Sequence, residues 1–252
     1  MEVILVETMP SVNLENAIVQ SARVSYGEGT KTVSEDTGLI RYLMRHWHTT
    51  PFEMVEFKFL IKCPIFIARQ HMRHRTASIN EYSARYSVVK DEFWIPSEFR
   101  KQSKINKQGS EEPFLNHELL DEYIETCKNS FAMYQKMLDS GVSREIARSV
   151  LPQSTYTEFY WKINLHNLLH YLKLRMAPDA QQEIRELAMM IYSHVKRLVP
   201  NVAIAFEDFR LKSVVFTGPE LSGNTLSKGE QREYDCKKNI LDIINGKQGI
   251  HE

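Results

Sequence analysis

The pattern of apolar and polar positions divides the chain into short strands and longer helices. Met1 to Met9 reads as a strand, which Pro10 ends because proline cannot donate to a ladder. Asn13 stands where it would cap a first helix with Leu14, Ala17, Ile18 and Ala22 on one face. A second helix is predicted over Thr37 to Trp47, burying Leu39, Ile40 and Leu43. From Val55 to Lys62 apolar and charged residues alternate, the period of a half-buried strand. Pro64 then suits the first turn of a helix carrying Ile65, Phe66, Ala68 and Met72. Leu120, Tyr123, Ile124, Cys127, Phe131, Tyr134 and Leu138 keep helical spacing up to a stop at Gly141. The β-branched and aromatic content of Thr155 to Ile163 predicts a strand. Helical spacing returns in Leu165, Leu168, Leu169 and Leu172, and again in Ile184, Leu187, Ile191, Val195 and Leu198.

This alternation predicts an α+β fold, a mixed sheet packed against long helices. Two segments read as peripheral. Lys101 to Glu112 is polar and lysine-rich, the composition of a solvated loop. Residues 212–252 read as a polar C-terminal extension to a main domain spanning 1–211. Within the extension Ser227 and Glu230 have capping-box spacing, which predicts a short docked helix backed by Cys236, Ile240 and Ile243.

Composition narrows the function classes. Lys plus Arg and Asp plus Glu are equal at 32 each, so the chain lacks the cationic excess that sequence-independent nucleic-acid binding needs. No apolar run approaches the length of a membrane span, and the first residues are too acidic for a secretory signal. Cys63, Cys127 and Cys236 are widely separated and suit a reducing compartment. A cytoplasmic protein without nucleic-acid or membrane partners is expected.

The chemistry is concentrated in one stretch, Arg73-His74-Arg75-Thr76-Ala77-Ser78-Ile79-Asn80-Glu81-Tyr82-Ser83-Ala84-Arg85-Tyr86. Arginine offers a planar fork of donors suited to phosphate or carboxylate, and serine hydroxyls with backbone N–H groups complete such cradles. On residues alone this is either an anion-binding loop or an ion-paired, solvated one. Ser83 lacks a Gly-x-Ser-x-Gly elbow, and the chain lacks a Gly-x-Gly-x-x-Gly loop, so neither a hydrolase nucleophile nor a Rossmann site is indicated.

The stretch resembles, at every fixed position, the Arg-His-Arg-x-x-Ser-x-Asn-Glu-x-Ser-x-Arg-Tyr signature of the flavin-dependent thymidylate synthases. His48 to Glu53, Pro64 to Gln70, Arg144 to Pro152, Leu172 to Arg175 and Ala180-Gln181 extend the resemblance to about residue 210. The resemblance implies a homotetramer with active sites between subunits. It implies deoxyuridylate (dUMP) as substrate, 5,10-methylenetetrahydrofolate as carbon donor, and FAD, reduced by NADPH, as hydride donor. By position it assigns Gln70, Arg73, Glu81, Ser83, Ala84, Arg85, Arg148 and Arg175 to dUMP. Ala84 stands where many members carry glycine. To FAD it assigns Thr50, Arg73, His74, Arg75, Glu81, Asn164, His166 and His170, the last two at positions where other members have arginine or asparagine.

Arg175 is the residue expected to carry catalysis, because a guanidinium beside the uracil ring stabilises its deprotonated form and so activates C5. Simple helix-end roles are the alternatives: Arg175 meeting a helix dipole, and Asn164 capping Leu165 to Leu172. His166 and His170, one turn apart, could suggest a metal pair, but no matched third ligand accompanies them and no metal is expected. Two other readings remain at this stage: a related methylation of uracil in RNA, and a non-catalytic nucleotide binder. The three cysteines read as small buried hydrophobes rather than nucleophiles.

Overall fold

A computed structural model of the chain describes residues 1–24, 36–104, 109–223 and 225–244. They form two compact units, Met1–Phe206 and Glu207–Glu252, so the first unit ends slightly before the boundary expected at 211.

The centre of the first unit is a pair of nine-residue strands, β2 (Glu56–Pro64) and β6 (Tyr156–Asn164), joined along their whole length. Alternation explains the pairing. Phe57, Phe59, Ile61 and Cys63 face one side of β2, and each lies opposite a buried partner on β6: Ile163, Trp161, Phe159 and Thr157. A one-residue slip would turn the four inward residues of the shifted strand to solvent, so the burial pattern holds the register. On the opposite face Lys58 lies against Lys162. That like-charge contact is relieved by Glu56, 3.1 Å from Lys162, and Glu7, 3.6 Å from Lys58.

β1 (Glu2–Met9) flanks β2 and β3 (Ser78–Glu81) flanks β6, giving the order β1-β2-β6-β3. Every pairing among the described residues is antiparallel, which corrects the expected mixed sheet. Alternation cannot distinguish the two directions; the intervening segments decide it. β3 is also a correction, because it lies inside the arginine-rich stretch that reads as a loop.

Helices cover the buried face. α1 (Leu14–Arg23), α2 (Asp36–Arg45) and the short α3 (Thr50–Glu53) precede the central pair. Asn13 does occupy the cap position of α1, but in a left-handed conformation without a side-chain cap bond. α4 (Ile65–His71) leaves β2 directly, and α7 (Leu165–Arg175) leaves β6 directly. Between them run α5 (His117–Asp139), which ends at a left-handed Gly141, and α6 (Arg144–Ala147). α8 (Gln182–Leu198) and α9 (Pro200–Phe206) close the layer.

The predicted loop at 101–112 is instead framed by two strands, β4 (Phe99–Gln102) and β5 (Ser110–Phe114), closed by the rings of Phe99 and Phe114. Its polar composition hides the pairing, because neither face of the hairpin is buried enough to show alternation. Arg100 fastens β4 to α8, with Nη2 2.5 Å from the Glu183 carboxylate and Nη1 3.1 Å from Gln182.

In the second unit, the helix α10 (Gly218–Ser222) begins with a capping box of Thr217 and Glu220. α11 (Lys228–Ile244) follows, with Glu230 Oε2 2.8 Å from the Ser227 N–H as the capping-box spacing predicts. The expected face is not buried at Cys236 or Ile240, which are exposed, and the side chain of Ile243 lies outside the described residues. Tyr234 packs on Phe216 and Lys237 holds Glu220 at 2.7 Å.

The Arg100–Glu183 pair generates a stability prediction. Burial pushes the Glu183 carboxyl up, but the bonds from Arg100, its own backbone N–H and Gln181 outweigh that and hold it below the usual range. Arg100→Ala leaves an almost fully buried carboxylate without its cation, at a cost of about 3 kcal/mol near neutral pH. A depressed carboxylate stabilises above its unfolded pKa and loses that contribution as pH falls, so the gap between wild type and variant should narrow on acidification. Urea unfolding at pH 7 and pH 4 measures it, and an equal gap at both would assign the loss to packing.

Candidate active site

Most of the residues assigned by resemblance fall into two groups, while Asn164 and His166 lie at the other end of α7 from Arg175 and Thr50 begins α3. The first is built where β3 ends. Its last residue, Glu81, accepts the Thr157 hydroxyl from neighbouring β6 at 2.7 Å. A tight turn follows, in which Ser83 O accepts from the N–H groups of Tyr86 and Ser87, and Ser83 Oγ accepts from Arg85 N at 3.3 Å. Tyr82 Oη donates to Val88 O at 2.7 Å and closes the loop behind the turn. Arg148 reaches the same place from a single 3₁₀ turn after α6.

Together Glu81, Tyr82, Ala84, Arg148, Tyr156 and Thr157 line most of a cavity of about 160 Å³. Arg85 is over half exposed, and its nearest carboxylate, Glu145, is 3.9 Å away and equally exposed. An ion pair so placed is weak. The Arg85 guanidinium is therefore only loosely engaged by Glu145.

The second group sits where α4 and α7 end. Arg175, the last residue of α7, is half-buried and donates Nε–H to His74 Nε2 at 3.0 Å. Its Nη2 donates to the carbonyl of Gln70 at 3.3 Å, near the C-terminus of α4. The Arg175 cation thus does meet a helix end, but that of α4 rather than its own. Among the described residues, both Nη1 hydrogens and one on Nη2 remain without a partner. Gln70 Oε1 is buried without a hydrogen-bond partner among the described residues.

Because His74 Nε2 accepts, its proton lies on Nδ1. Burial, then the charge of Arg175, then His170, lower the His74 pKa to about 4, so the ring is neutral near pH 7. It meets His170 edge-on at 5.9 Å. Asn164 Oδ1 accepts from Asn167 N at 2.9 Å, so Asn164 does cap α7. His166 lies in the first turn of that helix, and Thr50 begins α3, which packs on α7. Arg73 and Arg75 are exposed on the turn between α4 and β3.

The sequence reading places Arg175 and His74 in separate roles; the structure joins them. It also adds residues the motif does not contain. Thr157 and Tyr156 line the cavity from β6. His71 and Tyr171 lie beneath Arg175 with no motif to mark them. No cysteine lines the cavity among the described residues. Cys63 is buried, its thiol pushed up to about 12 mainly by desolvation, and Cys127 is buried with Sγ 3.5 Å from Ser154 Oγ.

Comparison with known proteins places the chain in a family. The family model described as thymidylate synthase complementing protein matches residues 5–201. A flavin-dependent thymidylate synthase of Thermus thermophilus is 56% identical over 207 residues, 82% of this chain and 77% of its own length. One from Dictyostelium discoideum is 49% identical over 257 residues, covering 95% of this chain and 84% of the relative. Among solved structures, the UMP/dUMP methylase PolB of Streptomyces cacaoi, bound with 5-Br dUMP, superposes with a TM-score of 0.76 at 36% identity, covering 83% of this chain and 96% of that one. On this match the chain belongs to the thymidylate synthase complementing protein family, that of the flavin-dependent thymidylate synthases.

Proposed function

We propose that this chain converts dUMP to thymidylate, taking a one-carbon unit from methylenetetrahydrofolate and a hydride from FAD that NADPH reduces. The observation that carries the reading is the half-buried Arg175 guanidinium, held by His74 and the Gln70 carbonyl with its outer edge still able to donate.

Uracil C5 must act as a carbon nucleophile, which requires electron density to be pushed into the ring. Arg175 Nη1–H and Nη2–H suit the uracil N3–O2 edge. A cation there favours the deprotonated ring by about 1–3 pKa units, or roughly 1.4 kcal/mol for each. Neutral His74 keeps Arg175 in place without adding a competing positive charge. Arg85, Arg148 and the backbone of the Ser83–Ala84 turn would take the phosphate, since a dianion needs more than one forked donor. Gln70, Arg73 and Glu81 complete the nucleotide set.

The residues present fit FAD. The Nδ1–H of His74 is an outward donor next to His170, and exposed Arg73 and Arg75 flank it to meet a pyrophosphate. Thr50, Glu81, Asn164 and His166 complete that set. When bound, the flavin supplies the hydride that completes the methyl group. The Arg175 group and the Arg148 cavity belong, in our reading, to sites that two subunits of a cytoplasmic homotetramer complete together, one chain giving each group.

The purified protein is expected to be yellow, to release FAD on denaturation, and to form thymidylate only with dUMP, methylenetetrahydrofolate and NADPH all present. Colourless protein that takes up no FAD would end this reading, and faster methylation of UMP than dUMP would move the substrate. Arg175→Ala should retain FAD yet lose about two orders of magnitude in turnover, the usual loss when a donor to developing negative charge is removed. Near-normal turnover in that variant would take Arg175 out of its role. Replacing all three cysteines by serine or alanine should leave turnover within a few-fold, since none lines the cavity. An inactive, folded, FAD-loaded triple variant would bring back thiolate attack at C6.

A further inference from the structure

Beneath the Arg175 cluster lies a second contact between the same two helix ends. His71 is the last residue of α4, and Tyr171 lies one turn before Arg175 on α7. Both are fully buried, with His71 Nδ1 2.9 Å from the Tyr171 hydroxyl. Neither is among the residues assigned to nucleotide or flavin.

The two contacts run in parallel, His71 to Tyr171 and then, three and four residues further on, His74 to Arg175. Helix residues four apart share a face, so Tyr171 sets the rotation of α7 at the turn from which Arg175 projects. Tyr171 also touches the upper contact, its ring meeting His74 edge-on at 4.9 Å. From below, Trp161 holds both members, 4.3 Å from the His71 ring and 5.1 Å from that of Tyr171. Burial, reinforced by His74 and Arg175, lowers the His71 pKa to about 3, so this contact is neutral and leaves Arg175 its charge. An apolar pair of the same shape would hold the fold nearly as well. What the polar pair adds is one defined geometry.

We propose that His71 and Tyr171 are positioning residues for the nucleotide site: their bond holds the end of α4 against α7 and so fixes the direction in which Arg175 presents its outer N–H groups. The inference rests on the reading of Arg175 as a dUMP contact.

A double-mutant cycle read by calorimetric titration of dUMP tests it, using wild type, Tyr171→Phe, Arg175→Ala and the double variant. Phenylalanine keeps the ring contacts and removes only the hydroxyl. Tyr171→Phe should weaken dUMP binding about fivefold, the factor expected for one neutral hydrogen bond, and lower turnover at saturating nucleotide. In the Arg175→Ala background it should change neither, because coupled residues are not additive. His71→Asn, which can place an amide group where Nδ1 stood, should recover most of the affinity that His71→Leu loses. That pair carries the test if Tyr171→Phe does not fold. An equal loss with and without Arg175 overturns the inference and leaves the enzymatic reading intact, as does unchanged affinity in both Tyr171→Phe and His71→Leu. A wild-type protein that neither binds dUMP nor makes thymidylate overturns both.

Discussion

The pairing of β2 with β6 is the constraint on which the rest of the first unit depends. Each strand runs straight into a helix, β2 into α4 and β6 into α7, so the pairing fixes where both helices begin. Because the strands are antiparallel, those starting points lie at opposite ends of a ladder roughly 27–30 Å long. At 1.5 Å per residue, α4 extends about 10 Å and α7 about 16 Å. Growing toward each other over the buried face, together they span about the length of the ladder, and their C-termini meet near its middle. His71 and Tyr171 both pack on Trp161, five residues along β6, as that geometry requires.

Two helix C-termini that meet bring together carbonyls without intrahelical donors and the negative ends of two dipoles. A cation is what such a place can accept, and Arg175 supplies it while donating to the carbonyl of Gln70. The same crowding desolvates His74, which stays neutral and can accept from the guanidinium. A structural need and a chemical capacity therefore coincide in one side chain. The cavity at Glu81 and Arg148 is formed differently, by a turn closed on itself through Ser83 and Tyr82 rather than by packing of helices.

Much of this was legible without coordinates. The alternation of Val55 to Lys62 and Thr155 to Ile163 carries the central strands, because one face is buried and the other is wet. The helical spacing of Leu165 to Leu172 and Ile184 to Leu198 carries α7 and α8. The Arg73 to Tyr86 stretch carries the functional assignment, because its residue types and spacing match a family signature. What escaped the reading had weak or divided signals. β3 is four residues long and nearly all exposed, and β4 and β5 bury too little on either face for a period to show.

The sequence by itself determined the central strands and the long helices of the first unit, the face these bury, and which family the motif resembles, because these depend on residues near one another in the chain. Tertiary structure alone decided that every described strand pairs antiparallel, since alternation reads the same in either direction. It alone divided the motif, sending His74 to Arg175 while Glu81 and Ala84 joined Arg148 at a cavity. It also placed His71 beside Tyr171, residues a hundred positions apart that meet because two helices leave opposite ends of one ladder and run out of length at the same point.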